Sequence, residues 1–199
     1  MDRTINYNFF HWGPLLYKTS LKQEEIERIK NLCSKKLKDY RDNLAGLIKH
    51  EHQIDAKKMS PIILPYVNSY IEAYSSYGNK QMGNKAELVS AWVNYMTKFE
   101  SNPIHTHNED LSFVIYTEIP KGLKQEIKDS VSSASNVKPG SINFIYTLGT
   151  EKFNNNQHIF VPEVGDLFIF PASLHHSVYH FQSEGERVSV SGNLVINNG

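Results

Sequence analysis

Apolar residues in the first quarter of the chain recur at three- and four-residue steps, which is the period of one helix face. Between Ser20 and Ile48 they predict a first amphipathic helix. Its buried face would consist of Ile26, Ile29, Cys33, Leu37, Tyr40, Leu44 and Leu47. Ser20 and Gln23 fit a capping box, which satisfies two backbone amides at the start of a helix.

A second helix is predicted over residues 61–77, with Ser60 as its cap. Pro61 would lie in the first turn, where its missing N–H costs nothing. Gly78 would end the helix. The buried face of this helix is predicted to be Ile63, Val67, Ile71 and Tyr74.

From about residue 85 the hydrophobic period changes from 3.6 to 2, the period of a half-buried strand. Segments rich in Val, Ile, Phe and Tyr alternate with Pro, Gly, Asn and Ser. Eight strands are predicted, over residues 88–97, 104–107, 111–118, 141–148, 158–162, 166–171, 175–181 and 187–196. Because no helix-length crossover separates most of them, the pattern favours a jelly-roll sandwich or barrel over a parallel sheet.

The interval from Pro120 to Pro139 interrupts this series of strands. It is rich in Lys and Ser and predicts a surface excursion, with room for one helical turn, that is a candidate lid. The whole chain is predicted to be one domain of mainly β structure. Residues 1–85 would form a helical N-terminal support and residues 86–199 the jelly-roll core.

Charge and composition narrow the classes of function. Lys and Arg total 21, as do Asp and Glu, so no overall field attracts the chain to nucleic acid or an anionic membrane. No stretch approaches the roughly 20 apolar residues of a membrane-spanning helix, and residues 1–7 lack the apolar core of a signal peptide. The single cysteine, Cys33, suits a reducing compartment. We therefore expect a soluble cytoplasmic protein of undetermined oligomeric state.

Two histidines separated by one residue, His105 and His107, lie in a short predicted strand. Residues i and i+2 of a strand point to the same face, so both imidazoles could bind one metal ion. A third ligand must come from elsewhere in the fold. The adjacent His175 and His176 begin another predicted strand, in which only one of the two can face inward.

The segment His50-Glu51-His52 has the same spacing but follows the predicted first helix. If that helix continued, residues i and i+2 would lie about 200° apart around its axis and could not share a metal ion. We therefore interpret this charged segment as a solvated surface.

A further pair of polar residues, Arg187 and Ser189, shares one face of the last predicted strand. A guanidinium binds a carboxylate through two parallel hydrogen bonds, and a nearby hydroxyl can add one more. This pair predicts a carboxylate-binding site.

Together these motifs resemble the 2-oxoglutarate- and iron(II)-dependent oxygenases, in particular a branch of small prolyl-hydroxylase-like enzymes of bacteria and of tailed phages of marine cyanobacteria. The residues that carry the resemblance are, in chain order, Trp92, Asn94, His105, His107, Leu111-Ser112, Phe170-Pro171-Ala172-Ser173-Leu174-His175-His176, Arg187, Ser189 and Asn193. The match covers about residues 88–196 and selects His176 over His175. It implies a double-stranded β-helix fold of jelly-roll type and a cytoplasmic location, in the host if the chain is viral.

The resemblance also implies an activity and its cofactors. The chain would be a non-haem iron dioxygenase that converts 2-oxoglutarate to succinate and hydroxylates a C–H bond of a peptidyl or small-molecule substrate. Peptidyl proline is suggested by the resemblance alone. The implied iron ligands are His105, His107 and His176, and the implied 2-oxoglutarate-binding residues are Arg187, Ser189, Tyr116 and Tyr95.

One departure from the wider superfamily leaves the ligand set open. Those enzymes use two histidines and one carboxylate, whereas His105 and His107 would give three neutral imidazoles. A different register, His107 with Glu109, would restore a carboxylate at the usual spacing, and a bulged strand could use Asp110.

Two other classes of protein fit parts of the pattern. A three-histidine cupin-type dioxygenase needs no 2-oxoglutarate, but it has no use for the clamp that Arg187 and Ser189 would form. A jelly-roll module without catalysis, either lectin-like or structural, would scatter the histidines in space. Bound transition metal distinguishes that module from both enzymes.

Overall fold

The computed structural model describes residues 13–78, 83–130, 138–146 and 156–197. A short 3₁₀ helix, Arg41–Asn43, precedes the second strand. The α-helices are α1 (Gln23–Lys30), α2 (Ala56–Gly78) and α3 (Leu123–Asp129). The strands are β1 (Tyr17–Ser20), β2 (Glu51–Gln53), β3 (Lys85–Met96), β4 (Asn102–His105), β5 (Leu111–Glu118), β6 (Ile142–Ile145), β7 (Gln157–Phe160), β8 (Asp166–Pro171), β9 (His175–Val178) and β10 (Arg187–Asn197).

The strands form two antiparallel sheets. One has six strands in the order β1-β8-β5-β10-β3-β2, and the other has four in the order β4-β9-β6-β7. This is the predicted double-stranded β-helix, and each of the eight predicted strands is present within a few residues of its expected bounds. The two added strands, β1 and β2, are short and lie at the edges of the larger sheet.

Side chains of the six-stranded sheet alternate between two separate apolar clusters. From β5 and β8, Tyr116, Phe168 and Phe170 face the four-stranded sheet and pack against Phe144 of β6. The intervening residues, such as Ile115, face the helices on the outer side. This alternation is the period of 2 that the sequence displays, and it leaves one face of each strand available for the interior of the sandwich.

Helix α2 begins at Ala56, five residues before the predicted start at Pro61. Asp55 accepts a hydrogen bond from the Lys57 N–H (2.9 Å) and so takes the capping role that was predicted for Ser60. Burial explains the earlier start, because Met59 in the first turns is completely buried against the sheet. Packing here outweighs the cost of a proline inside a helix.

The predicted first helix is wrong in its length, since α1 begins at Gln23 and ends at Lys30 rather than near Ile48. After α1 the chain does not continue as a helix. Its backbone pairs with β2 instead, and the Tyr40 N–H donates to the Glu51 carbonyl (2.9 Å). Long-range pairing thus replaces the helical bonds that the local apolar period predicted. The segment between α1 and β2 therefore lies against the sandwich, where Leu44, Ala45 and Ile48 contact the space between the sheets.

The interpretation of His50-Glu51-His52 as a solvated surface is also wrong. Glu51 and His52 lie in the edge strand β2, which pairs with β3, and both are buried. Glu51 is opposite Asn94, and His52 is opposite Val93.

The predicted excursion after β5 contains α3, whose Leu123 packs into a small apolar cluster with Ile48, Met96 and Phe181. The first part of the excursion is therefore anchored to the sandwich. Residues 131–137 lie outside the described residues, so the predicted lid stays a prediction. Among the described residues, no helix is both long enough and apolar enough to span a membrane.

Replacing Ile63 with alanine tests the assignment of the α2 face. Ile63 is completely buried between α2 and the six-stranded sheet, so Ile63→Ala should lower the free energy of unfolding by about 2–5 kcal/mol. Urea denaturation measures this change. Glu72→Ala, on the exposed side of the same helix, should alter it by less than about 0.5 kcal/mol. Equal losses for the two variants would contradict the assigned face.

Candidate functional site

A cavity of about 180 Å³ opens between the two sheets. Its wall includes inward-facing residues of β3, β5 and β10 on one side and of β6 and β9 on the other. A third part of the wall is the irregular segment after the 3₁₀ helix, through Leu44, Ala45 and Ile48. The N-terminal third of the chain therefore contributes directly to this cavity.

The structure brings His105, His107 and His176 together in the cavity wall. His105, the last residue of β4, lies directly opposite His176 of β9 in the antiparallel register. His107 lies two residues beyond the end of β4, where its backbone N–H donates to the Ala172 carbonyl (2.9 Å). The ring centroids are 4.1 Å apart for His105 and His176, 5.1 Å for His105 and His107, and 5.2 Å for His107 and His176.

Each histidine offers one ring nitrogen, and these nitrogens all lie within 4.8 Å of one another. Nδ1 of His105 bonds to the Pro103 carbonyl (2.7 Å), and Nδ1 of His176 bonds to the Leu174 carbonyl (2.9 Å). Because a carbonyl oxygen only accepts, each Nδ1 carries the hydrogen, and in the neutral ring Nε2 keeps a free lone pair. This is the arrangement that a histidine metal ligand requires.

The cavity also favours the neutral imidazoles. Burial lowers the pKa of His176 to about 3 and that of His107 to about 4, with the neighbouring histidines adding to both shifts. Burial lowers the pKa of His105 as well. A histidine must be unprotonated to bind a metal ion, so the three side chains are in the required state at neutral pH.

The other predicted ligands lie elsewhere. His175 is exposed, whereas the neighbouring His176 is buried. Glu109 lines an adjoining pocket, and the Asp110 carboxylate accepts a hydrogen bond from the Ile196 N–H (2.7 Å). In the described parts of the chain, neither carboxylate belongs to a group of potential ligands that includes His107.

Arg187 is buried at the other end of the cavity, with 2% of its surface exposed. Its Nε donates to the Gly140 carbonyl (3.1 Å), and Nη2 donates to the Tyr116 hydroxyl (3.1 Å). The guanidinium also lies 4.6 Å from the centre of the Tyr116 ring. No carboxylate pairs with Arg187 among the described residues. Because a buried charge is costly without a counter-charge, this position is suited to an incoming anion.

Two further predicted residues, Tyr116 and Ser189, line the same cavity. They are opposite each other in the β5–β10 register, and Ser189 is two residues after Arg187 on β10. The Ser189 hydroxyl lies 3.5 Å from the Asn94 amide nitrogen on β3. Two hydroxyl groups therefore line the same cavity as the guanidinium.

The sequence analysis placed Tyr95 among the 2-oxoglutarate-binding residues of the cavity, and this prediction is wrong. Its neighbours Asn94 and Met96 line the cavity, so the alternation of β3 turns Tyr95 to the opposite face. There it packs among the residues of the outer cluster, with the Lys35 ammonium 5.1 Å from its ring centre.

Glu51 is a cavity residue that the sequence analysis missed. It is 1% exposed and lies in the cavity wall, yet neither carboxylate oxygen has a hydrogen-bond partner among the described residues. Burial, and secondarily the neighbouring Glu100 carboxylate, raise the pKa of Glu51 to about 7, although Arg41 acts in the opposite direction.

The raised pKa of Glu51 predicts a pH-dependent stability. A carboxyl whose pKa is higher in the folded state, here about 7 instead of 4.5, stabilises the fold fully below pH 4.5. That contribution is lost as the pH rises through 7. The melting temperature of Glu51→Gln relative to the unmodified protein should therefore be higher at pH 8 than at pH 5, in metal-free samples. Glu87→Gln on exposed β3 surface is the matched control, and a Glu51→Gln difference that is constant with pH would contradict the assignment.

The comparisons with known proteins agree with this geometry. Residues 90–193, just over half of the chain, match a protein-family model described as "Putative 2OG-Fe(II) oxygenase". No curated protein matches the sequence.

Solved structures with the same fold include two prolyl hydroxylases. The viral collagen prolyl hydroxylase of Paramecium Bursaria Chlorella virus-1, in complex with 2-oxoglutarate, has a TM-score of 0.59 and 11% identity over 90% of this chain and 94% of that one. The prolyl-4-hydroxylase of Pseudomonas putida has a TM-score of 0.58 and 14% identity over 92% of each chain. HygX of Streptomyces hygroscopicus, with nickel and 2-oxoglutarate bound, has a TM-score of 0.53 and 11% identity over 93% of this chain and 83% of that one.

At these identities the structural likeness shows the fold alone, and the matched sequence family makes the assignment. The matched residues include the three histidines, Arg187 and Ser189. This chain belongs to the family of 2-oxoglutarate- and iron(II)-dependent oxygenases.

Proposed function

We propose that this chain is a 2-oxoglutarate-dependent hydroxylase that binds iron(II) through His105, His107 and His176. The observation that carries the proposal is Arg187, a buried guanidinium without a carboxylate partner among the described residues. It lies in the same cavity as three neutral histidines whose ring nitrogens converge. A metal-binding group and an anion-binding group in one cavity are what an oxygenase of this family needs for its metal and its dicarboxylate cosubstrate.

The proposed iron ligands are three imidazoles, with no carboxylate. Support comes from the hydrogen bonds of His105 and His176 to backbone carbonyls. These bonds place the hydrogen on Nδ1 and leave the Nε2 lone pair of each ring free for a metal ion. Glu109, which would restore a carboxylate ligand, lines the adjoining pocket. A neutral ligand set leaves the full charge of the metal to attract the two carboxylates of 2-oxoglutarate.

Arg187 would bind the far carboxylate of 2-oxoglutarate through its two-donor fork. Tyr116 and Ser189 would each add a hydroxyl hydrogen bond from the neighbouring row of the sheet. The Gly140 carbonyl and the Tyr116 hydroxyl hold the guanidinium in place before the anion arrives. Gly140 adopts φ +68°, a conformation that favours glycine, at the turn into β6.

When bound, iron and 2-oxoglutarate would supply the oxidation with O2 as the oxidant: one oxygen atom would go to succinate as CO2 leaves 2-oxoglutarate, and the other would hydroxylate a C–H bond of the prime substrate. The chain binds and orients the two reactants and excludes water from a cavity with apolar walls, which include Val114, Ile142 and Phe170. The fold admits both substrate classes, since the similar structures include prolyl hydroxylases and a complex of HygX with hygromycin B. We propose a peptidyl or small-molecule substrate for this chain.

Replacement of His176 tests the metal site. His176→Ala should abolish stoichiometric iron(II) binding, because two remaining imidazoles do not define a coordination face. His175→Ala is the matched control, since it removes an exposed imidazole from the adjacent position and should leave binding intact. Iron content after anaerobic reconstitution and desalting measures both.

The same assay decides between the two proximal ligand sets. His105→Ala should abolish iron binding, and Glu109→Gln should leave it nearly unchanged. The reverse result would show that His107 and Glu109 are the ligands. Iron binding that survives in His176→Ala would overturn the three-histidine site itself.

Arg187→Lys tests the use of 2-oxoglutarate. Lysine keeps the charge but loses the planar fork, and a poorly matched buried charge pair costs about 2–5 kcal/mol, or roughly 30- to 5000-fold in affinity. The variant should therefore need a much higher 2-oxoglutarate concentration for succinate production and for the visible charge-transfer band under argon. Its iron affinity without 2-oxoglutarate should not change.

The unmodified protein is the reference for this prediction. With iron(II), 2-oxoglutarate and oxygen it should form succinate. If Arg187→Lys lowers the melting temperature and leaves 2-oxoglutarate affinity unchanged, the residue is structural. A protein that binds iron but gives neither succinate nor the band is a three-histidine dioxygenase of another type.

A further inference from the structure

We propose that Glu51 and Trp92 form a subsite for a positively charged group of the prime substrate, an ammonium or a guanidinium. This inference rests on the proposed function for the reaction that the substrate undergoes. It extends that function by naming the chemical class that the cavity selects. Neither residue is among the proposed ligands of iron or 2-oxoglutarate.

The strand register places Glu51 on the inner face of the six-stranded sheet. Glu51 is opposite Asn94, Asn94 is opposite Ser189, and Ser189 is opposite Tyr116. Directly opposed residues of paired strands point to the same side of a sheet. These four residues therefore form one row across the sheet, with Glu51 on the edge strand. The row includes Ser189 and Tyr116, whose hydroxyls are proposed to bind 2-oxoglutarate, and all four residues line one cavity.

A neighbouring glutamate shows what a structural carboxylate looks like in this part of the fold. Glu100 is also buried, and it accepts hydrogen bonds from the backbone N–H groups of Lys49 (3.0 Å) and Thr97 (2.7 Å). Both Glu51 oxygens are equally buried but have no partner among the described residues. A buried acceptor without a donor is costly, so the Glu51 carboxylate is placed for a donor that arrives from outside.

No cation within the described residues fills this role. Arg187 lies in the same cavity, but its guanidinium is held by Gly140 and Tyr116 beside the proposed 2-oxoglutarate position. Arg41, which lowers the pKa of Glu51, forms an exposed ion pair with Asp39 (2.6 Å). The carboxylate therefore lacks a counter-charge that the chain itself provides.

An aromatic ring lies beside Glu51 in the cavity. Trp92 is two residues before Asn94 on β3, so it points to the same face, and it lines the cavity together with Glu51. Its ring is 6.0 Å from that of Tyr40 and 5.7 Å from that of His107. Trp92 is buried, with 4% of its surface exposed, and it lines the cavity wall. A carboxylate and an indole ring in one cavity wall suit an alkylammonium or guanidinium group. Because the Trp92 ring is close to His107, a cation held against the indole would lie near the proposed metal site.

A second, more polar pocket adjoins this part of the cavity. It shares Trp92, Leu44 and His107 with the main cavity, and it adds Tyr40 and Glu109. A substrate that enters through this pocket meets a carboxylate at the entrance and a second one, Glu51, inside. Two carboxylates along one path favour a cation and disfavour an anion.

The subsite can be tested with two probes that differ in charge. The protein is loaded with zinc(II), which is diamagnetic and prevents turnover, and with 2-oxoglutarate, and is titrated with n-butylammonium or with 1-butanol. Binding is followed by the Trp92 indole resonance, with Trp12→Phe to assign it. We expect n-butylammonium to bind at least tenfold more tightly than 1-butanol. Equal affinities in the unmodified protein would overturn the proposal, and this arm needs no Glu51 variant.

Glu51→Gln is the matched variant because it keeps the shape and removes the charge. It should weaken n-butylammonium binding by about tenfold or more, leave 1-butanol binding unchanged and leave 2-oxoglutarate affinity unchanged. Glu87→Gln, on exposed β3 surface, should alter none of the three. A preference for the ammonium that survives in Glu51→Gln would overturn the subsite, as would an equal loss for both probes.

Failure of the proposed function would look different. In that case the protein would bind no 2-oxoglutarate in the iron charge-transfer assay, while the ammonium preference could still be measured without metal or cosubstrate. Normal 2-oxoglutarate binding combined with no ammonium preference would overturn the subsite alone.

Discussion

The buried guanidinium of Arg187 is the constraint around which the interior of this protein is arranged. A charge held inside a β-sandwich needs hydrogen bonds and a counter-charge, since desolvation otherwise costs several kcal/mol. The chain provides the first through the Gly140 carbonyl and the Tyr116 hydroxyl. It does not provide the second within its described residues. A carboxylate that enters the cavity would supply it, which is the physical basis of the proposed dicarboxylate site.

The metal-binding end of the cavity follows a complementary principle. His105 and His176 are paired across two strands, each is oriented by a backbone carbonyl, and burial keeps each neutral. The proposed ligand set carries no charge, and the acidic group of the cavity is Glu51, which does not belong to the histidine cluster. With three imidazoles as the proposed ligands, the Glu51 carboxylate is not needed for the metal and is available for the proposed cationic group of the substrate.

The first third of the chain does more than support the sandwich. Helices α1 and α2 cover the outer face of the six-stranded sheet, which keeps its inner face free for the site. The segment after α1 supplies Leu44 and Ile48 to the cavity wall, and the edge strand β2 supplies Glu51. These are the regions without a family motif, and the residues that select a prime substrate are expected where the family pattern ends.

The sequence by itself indicated the eight strands of the double-stranded β-helix, the order of the motifs and the candidate residues of the proposed metal and carboxylate sites. A period of 2 is a local consequence of burying one face of a strand, so it is visible without the fold. The tertiary structure alone decided where α1 ends, because backbone pairing of Tyr40 with Glu51 competes with helical bonds and depends on distant residues. The tertiary structure also decided which side chains of β2 and β3 face the cavity. That choice placed Glu51 in the cavity and Tyr95 outside it, since the parity of a strand is fixed by its neighbours in the sheet.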